Sequence, residues 1–187
     1  MNKRHRVFIA VNLLDKTKKR LADYQERWPE LPVRWTKKHN LHITLFFLGY
    51  LIDEEIVEVC KKVKKIALRH SSFSVDLNRI CYGPENKIPP RIIWARGDKS
   101  SELASLRNDL NKSLASYSKH EKKEFSPHIT LGRIRAFEWR RIEPEERPEI
   151  EEDINLSIEV NSIEVMESVL KRQGPEYAVL ESSPLKL

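Results

Sequence analysis

His42-Ile43-Thr44-Leu45 recurs unchanged as His128-Ile129-Thr130-Leu131 in this chain of 187 residues. In an extended strand successive side chains point to opposite faces, so each copy places its histidine and threonine on one face and its isoleucine and leucine on the other. The apolar face suits a hydrophobic core, whereas the other face presents an imidazole and a hydroxyl group. Both copies are therefore predicted to be strands with one buried and one polar face.

A longer repeat surrounds the two tetrapeptides. Each is preceded by an apolar run typical of a strand and then by a helical pattern. The sequence separation from Val7 to His42 is one residue shorter than the separation from Ile92 to His128. Two segments with the same order and nearly the same spacing indicate a duplicated unit. If the two halves of the duplication face each other, their histidine-bearing faces meet.

The fold class predicted from these patterns is α+β, a two-lobed, pseudo-symmetric duplicated fold with antiparallel sheets lining a central cleft and helices outside. A chain of this length is expected to form a single domain over 1–187. The lobes are expected to be built around approximately 1–90 and 91–187, with exchange of strands between them as an option. The charged, proline-containing stretch 138–153 is predicted to be a long exposed loop.

The distribution of charge favours an anionic partner. The chain has 34 Lys and Arg against 28 Asp and Glu, a net charge of +6. Residues 1–94 carry 19 basic and 10 acidic side chains, and a basic half is typical of a protein that binds RNA. The basic run at 61–65 is better explained as a solvated helix face.

The sequence also indicates the compartment in which the protein is expected to act. No apolar run reaches the roughly 18 residues of a membrane span, and the first residues lack a signal-peptide pattern. A cytoplasmic monomer without membrane association is therefore expected. Cys60 and Cys81 are predicted to be structural residues rather than part of a disulfide framework. A high content of Lys, Glu and Ile with only two Gln suits a heat-adapted protein.

Two histidines that face each other can divide acid and base duties near neutral pH, since the pKa of an unperturbed imidazole is about 6.5. Such a pair suits hydrolysis of a phosphodiester, in which one histidine takes a proton from water and the other protonates the departing oxygen. Thr44 shares the face of His42, and Thr130 shares the face of His128. Both hydroxyl groups can donate hydrogen bonds to phosphate oxygens.

A metal site is the main alternative for these histidines. His39 and His42 are three residues apart, a spacing that aligns ligands on a helix, but here it runs from a turn into a strand. Neither tetrapeptide includes a carboxylate or thiolate ligand, so no metal is expected. The chain lacks a Gly-rich phosphate-binding loop and has only five glycines, which argues against a nucleoside triphosphate site. His5, His70 and His120 lie in polar or terminal surroundings and are predicted to face solvent.

Together the motifs resemble those of the two-histidine phosphoesterase superfamily, and in particular its RNA 2',3'-cyclic phosphodiesterase branch, also called the 2'-5' RNA ligase family. The resemblance runs nearly from end to end of the chain. Its residues are Arg6-Val7-Phe8-Ile9-Ala10, Asn40-Leu41-His42-Ile43-Thr44-Leu45, Phe47-Leu48-Gly49, Pro127-His128-Ile129-Thr130-Leu131, Arg133, Glu167-Ser168-Val169-Leu170 and Gly174-Pro175-Glu176-Tyr177.

The resemblance implies a bilobal fold with a central cleft, no metal or organic cofactor, and hydrolysis of an RNA 2',3'-cyclic phosphate end to a 2'-phosphate. It also implies reversible, ATP-independent 2'-5' RNA ligation. By this resemblance His42 is the proton donor to the leaving 3'-oxygen and His128 is the proton acceptor from water. Thr44 and Thr130 hold the phosphate oxygens. Because the two motifs are identical, the donor and acceptor roles remain exchangeable.

Two further residues are expected to bind substrate. By simple alternation Phe46 shares the face of His42, and it is a stacking surface for the terminal base unless it only packs in the core. Arg133 follows the second motif and is expected to steady the phosphate charge, although alternation takes it off the His128 face unless Gly132 bends the strand. The alternative function is a non-catalytic module that binds RNA ends.

Overall fold

The structure, a computed structural model, describes residues 3–84, 87–117, 125–172 and 174–186. The strands are β1 (His5–Asn12), β2 (Val33–Trp35), β3 (His42–Leu51), β4 (Phe73–Gly83), β5 (Ile92–Gly97), β6 (His128–Ile134), β7 (Glu151–Val160), β8 (Ser162–Lys171) and β9 (Gly174–Pro184). The helices are α1 (Asp15–Gln25), α2 (Asp53–Ala67), α3 (Ser101–Ser113) and the short α4 (Ala136–Trp139). Short 3-10 turns cover Lys38–Asn40 and Pro144–Glu146. The prediction for His120 falls outside the described residues.

The described strands form one curled antiparallel sheet in the order β7-β4-β5-β6-β3-β1-β8-β9, with β2 paired to β6. This arrangement confirms the predicted α+β class. Strands β3 and β6, which carry the two histidine motifs, are neighbours in the middle of the sheet. Strand β4 lies beside β5 and β7, whereas β8 lies beside β1 and β9 lies beside β8. The order of strands in space therefore differs from their order along the chain.

The helices cover one face of the sheet and leave the other face for the site. Helices α2 and α3 carry apolar stripes, which are buried against alternate residues of the strands. The buried members include Val7, Ile9 and Val11 of β1, Val59, Val63 and Ile66 of α2, and Leu103, Leu106 and Leu110 of α3. A smaller cluster on the opposite face joins Phe8, Ala10, Met166 and Tyr177.

The prediction that 138–153 is a long exposed loop is wrong in part. Trp139 is 4% exposed and Ile150 is 3% exposed, so both pack into the core, and β7 already begins at Glu151. The Tyr82 hydroxyl donates to the backbone oxygen of Pro148 at 2.7 Å, and the Tyr82 ring meets Trp139 edge to face. The local sequence is dominated by charged residues, so burial of these two apolar side chains could not be predicted from it. Their burial depends on contacts with strands that are distant in sequence.

The predicted solvent exposure of His5 and His70 is wrong as well. His5 Nδ1 is 2.6 Å from Glu167 Oε1, and His5 Nε2 is 3.1 Å from Asp53 Oδ1. His70 Nε2 lies 3.1 Å from Asp109 Oδ2. Each histidine links elements that are distant in sequence, and such partners cannot be recognised from the neighbouring residues alone.

Candidate active site

The two histidine motifs meet where β3 and β6 pair, with Ile43 opposite Ile129. Both isoleucines are fully buried on the helix side. Antiparallel strands advance in opposite directions, so this register places His42 opposite Thr130 and Thr44 opposite His128. The four polar side chains are half-buried and lie on the face away from the helices. The structure therefore brings together the four residues that the repeat predicts.

Both imidazoles are held in the same way. His42 Nδ1 lies 2.7 Å from the backbone oxygen of Asn40, and His128 Nδ1 lies 2.9 Å from the backbone oxygen of Ser126. A carbonyl oxygen only accepts hydrogen bonds, so Nδ1 carries a proton in each ring. The remaining nitrogen, Nε2, then has a free lone pair in the neutral ring, and the Thr44 hydroxyl donates to Nε2 of His42 at 2.8 Å. Each Nε2 can accept a proton or, once protonated, donate one.

Burial favours the neutral form of both imidazoles. Desolvation, with smaller contributions from Lys18 and His128, lowers the pKa of His42 to about 4, and the hydrogen bond to Asn40 opposes this shift. Desolvation also lowers the pKa of His128, opposed by the hydrogen bond to Ser126. A bound anion counteracts desolvation and raises the pKa of both rings.

Lys18 is a site residue that the sequence did not single out. It lies on the buried side of α1, and its Nζ donates to the backbone oxygen of His39 at 3.0 Å. Burial lowers the pKa of Lys18, while Asp15 and Glu164 oppose this shift. The available signal was its position three residues before Leu21, on the apolar stripe of the helix.

The prediction that Phe46 faces the site is wrong. Residues 44 and 46 of β3 pair with consecutive residues of β1, which leaves Leu45 as the extra residue of a β-bulge. The bulge reverses the alternation, so Phe46 is 7% exposed in the core. Phe47 takes the place on the histidine face, 54% exposed and with its ring 6.3 Å from that of Phe8. The Phe8 ring is in turn 5.0 Å from that of His42.

The second motif carries the same irregularity. Residues 130 and 132 of β6 pair with consecutive residues of β5, so Leu131 is the extra residue. Gly132 then faces the core, where a Cβ atom would lie 2.3 Å from Val33 and 2.8 Å from Trp35. Arg133 consequently returns to the His128 face, contrary to simple alternation, and is exposed. The two bulges make Phe47 and Arg133 equivalent positions of the repeat.

Aromatic rings flank each histidine. The His42 ring meets Tyr177 edge to face at 5.2 Å, and the His128 ring lies 4.9 Å from the Trp94 ring. Asn40 fixes Tyr177 nearby, because its side chain donates to the Pro175 oxygen at 2.7 Å and accepts from the Tyr177 nitrogen at 3.3 Å. The sequence analysis missed Trp94, although the repeat places it on the strand that precedes the second motif.

Metal-ligating groups do not cluster in the described part of the chain, where no set of three His, Cys, Asp or Glu residues could hold an ion. No helix in the described residues is both long and apolar enough to cross a membrane.

Comparison with known proteins agrees with this geometry. A family model described as LigT like Phosphoesterase matches residues 11–94 and 97–177. An RNA 2',3'-cyclic phosphodiesterase of Thermotoga maritima is 27% identical over 180 residues, 94% of this chain and 92% of that protein. An RNA 2',3'-cyclic phosphodiesterase of Aeropyrum pernix is 32% identical over 155 residues, 80% of this chain and 85% of that protein. The crystal structure of the Thermus thermophilus protein TT0787 superposes with a TM-score of 0.81 at 27% identity, covering 97% of this chain and 98% of the other.

The fold and the paired histidine motifs define an enzyme of the two-histidine phosphoesterase class. Within that class, the chain belongs to the LigT-like phosphoesterase family, because the family model matches most of its length. The resemblance found in the sequence is therefore confirmed.

Proposed function

We propose that this enzyme hydrolyses RNA 2',3'-cyclic phosphate ends to 2'-phosphates without a metal ion. The observation that supports this proposal is the matched pair of imidazoles, each with Nδ1 bonded to a backbone oxygen and Nε2 available for proton transfer. The names of the Thermotoga and Aeropyrum relatives point to the same substrate.

In the proposed reaction, His128 Nε2 accepts a proton from a water molecule, whose oxygen attacks phosphorus. The bond from phosphorus to the 3'-oxygen breaks, and protonated His42 delivers its Nε2 proton to that oxygen. The product has a 2'-phosphate and a 3'-hydroxyl group. Thr44, Thr130 and Arg133 stabilise the charge on the non-bridging oxygens. Proton exchange with solvent then resets both histidines. In the ligation reaction, the 5'-hydroxyl of a second RNA replaces water.

His42 must be protonated to act as the acid, but burial of its ring disfavours the charged form. The pKa of His42 is about 4 in the free protein, because its ring is desolvated and close to the charges of Lys18 and His128. The negative charge of the bound phosphodiester offsets these effects and raises the pKa. Substrate binding therefore prepares His42 for its role.

The pH profiles of kcat and kcat/KM are expected to differ. The productive free enzyme has one proton on the histidine pair, and both imidazole pKa values lie below their usual range. The fall of kcat/KM on the alkaline side should therefore centre below about pH 6.5, since kcat/KM reports the free enzyme. The fall of kcat should lie at higher pH, because the substrate anion raises the same pKa values. Steady-state rates over a pH series from acid to mildly alkaline test this; an alkaline limb of kcat/KM well above the ordinary imidazole pKa of about 6.5 would contradict it.

Phe47, rather than Phe46, is expected to stack on the terminal base. The variant F47A should raise KM about tenfold, because loss of one base–aromatic stack costs about 1–3 kcal/mol. The matched variant F46A should instead destabilise the fold by about 3 kcal/mol, as expected for a buried phenylalanine. Steady-state kinetics and urea unfolding of both variants distinguish the two roles. A larger KM effect at position 46 would refute this assignment.

The direct test is incubation of the protein with EDTA and a short RNA that ends in a 2',3'-cyclic phosphate. Chromatography against 2'-phosphate and 3'-phosphate standards identifies the product. We expect the 2'-phosphate at an unchanged rate in EDTA. Untouched substrate, together with salt-dependent binding that survives loss of either histidine, would favour the binding module instead.

A further inference from the structure

Two arginines lie directly opposite each other at the end of the site. Strand β2 pairs with β6 so that Arg34 is opposite Arg133. The neighbours of Arg34 on β2, Val33 and Trp35, pack over Gly132 on the core side. Because side chains alternate along a strand, Arg34 projects from the opposite face, together with Arg133. Both arginines are exposed.

The arginine pair continues the row of catalytic groups. Along β6 the histidine face carries His128, Thr130 and Arg133, and the residues opposite them are Thr44, His42 and Arg34. From Thr130 to Arg133 the strand advances three positions, about 10 Å at ~3.3 Å per residue. The arginine pair therefore lies beyond the His42 end of the site rather than the His128 end.

In the part of the chain that the structure describes, no carboxylate balances the charges of this pair. Within the described ranges neither Arg34 nor Arg133 forms an ion pair, although the neighbouring Arg135 is bonded to Glu138. Like charges directly opposite each other on paired strands are destabilising. Two guanidinium groups on one face provide the planar donors that bind phosphate oxygens.

We propose that Arg34 binds the internal phosphodiester on the 5' side of the terminal nucleotide, so that the enzyme prefers an RNA strand to a cyclic mononucleotide. This inference rests on the proposed function. The 3'-oxygen that leaves at His42 belongs to the terminal ribose, whose 5'-oxygen leads to the preceding phosphate. That phosphate therefore lies toward the His42 end, where Arg34 is located.

The test compares a substrate without a second phosphate with two dinucleotides in which that phosphate is charged or uncharged. They are adenosine 2',3'-cyclic phosphate, the dinucleotide ApA with a 2',3'-cyclic end, and the same dinucleotide with an uncharged internal methylphosphonate. The variant R34Q should lower kcat/KM for the charged dinucleotide about tenfold, as loss of a charge-assisted hydrogen bond predicts. Its ratio of charged to uncharged dinucleotide activity should approach one. R34K should recover part of that ratio.

Salt dependence gives a second measurement. The slope of log(kcat/KM) against log[salt] for the charged dinucleotide should become shallower by about 0.7 in R34Q, the value for one phosphate contact on a single strand. The control R69Q changes an exposed arginine that follows α2 and should retain the wild-type ratio and slope.

The outcomes separate the two proposals. If wild-type protein hydrolyses none of the three substrates, the proposed function fails and this inference fails with it. If wild type is active but R34Q lowers all three rates equally, or changes none, only the second-phosphate site is refuted.

Discussion

Replacing His128 or His42 by alanine is expected to lower kcat on a 2',3'-cyclic RNA end by about 10²–10⁴ for each residue, the usual contribution of one acid or base group. His128 loses the Nε2 that accepts the proton of water, and His42 loses the Nε2 that protonates the 3'-oxygen. Neither change should unfold the protein, because both rings lie outside the main core. Single-turnover measurements with excess enzyme quantify the residual rates.

The double variant H42A/H128A should be little slower than the slower single variant, since groups that act as a unit are strongly non-additive. H39A is the matched control, because His39 lies three positions before His42 in the 3-10 turn. It should retain most of the activity. Substantial turnover in both single variants, with normal circular dichroism, would refute the acid–base pair.

The second large effect is expected from T130V, which keeps the shape of the side chain and removes its hydroxyl. A lost donor to a charged oxygen in the transition state lowers kcat by about 10²–10³. T44V should be comparably slow. It should also alter the pH profile, because the Thr44 hydroxyl is bonded to His42 Nε2 at 2.8 Å. In T130V the acid and alkaline limbs of the pH–rate profile should lie at the same pH values as in wild type.

T36V is a suitable control for the two threonine variants. Thr36 is half-buried and follows β2, and its backbone nitrogen donates to the backbone oxygen of Leu131 at 2.8 Å, so it lies beside the second motif without belonging to either motif. The variant should retain wild-type kcat. If T130V lost no more activity than T36V, the hydroxyl of Thr130 would have no part in charge stabilisation.

The bulges explain why strand alternation correctly predicts the faces of the residues within each motif and incorrectly predicts those of the residues that follow it. Ile43 and Ile129 are buried as predicted, with the histidines on the opposite face. After Leu45 and Leu131 the alternation is reversed, because each of these residues is an insertion relative to the adjacent strand. A bulge is a property of two paired strands, and one strand alone does not reveal it.

The electrostatics of the site likewise depend on contacts between distant segments. Lys18 resembles a surface lysine in its local sequence, yet the packing of α1 buries it and bonds it to the turn that precedes His42. The low pKa of His42 follows mainly from burial of its ring, and then from the nearness of Lys18 and His128. Composition showed a basic first half, but not which cations approach the histidines.

Patterns within the chain were enough to predict the α+β class, the duplicated histidine strands and the pairing of two imidazoles with two hydroxyl groups. These features depend on a two-residue period and on an internal repeat, both of which are local properties of the chain. Only the tertiary structure decided that Phe47 replaces Phe46 on the histidine face, that Arg34 lies opposite Arg133, and which strands flank each motif. The physical reason is register: hydrogen bonding between strands far apart in sequence determines which side chains share a face.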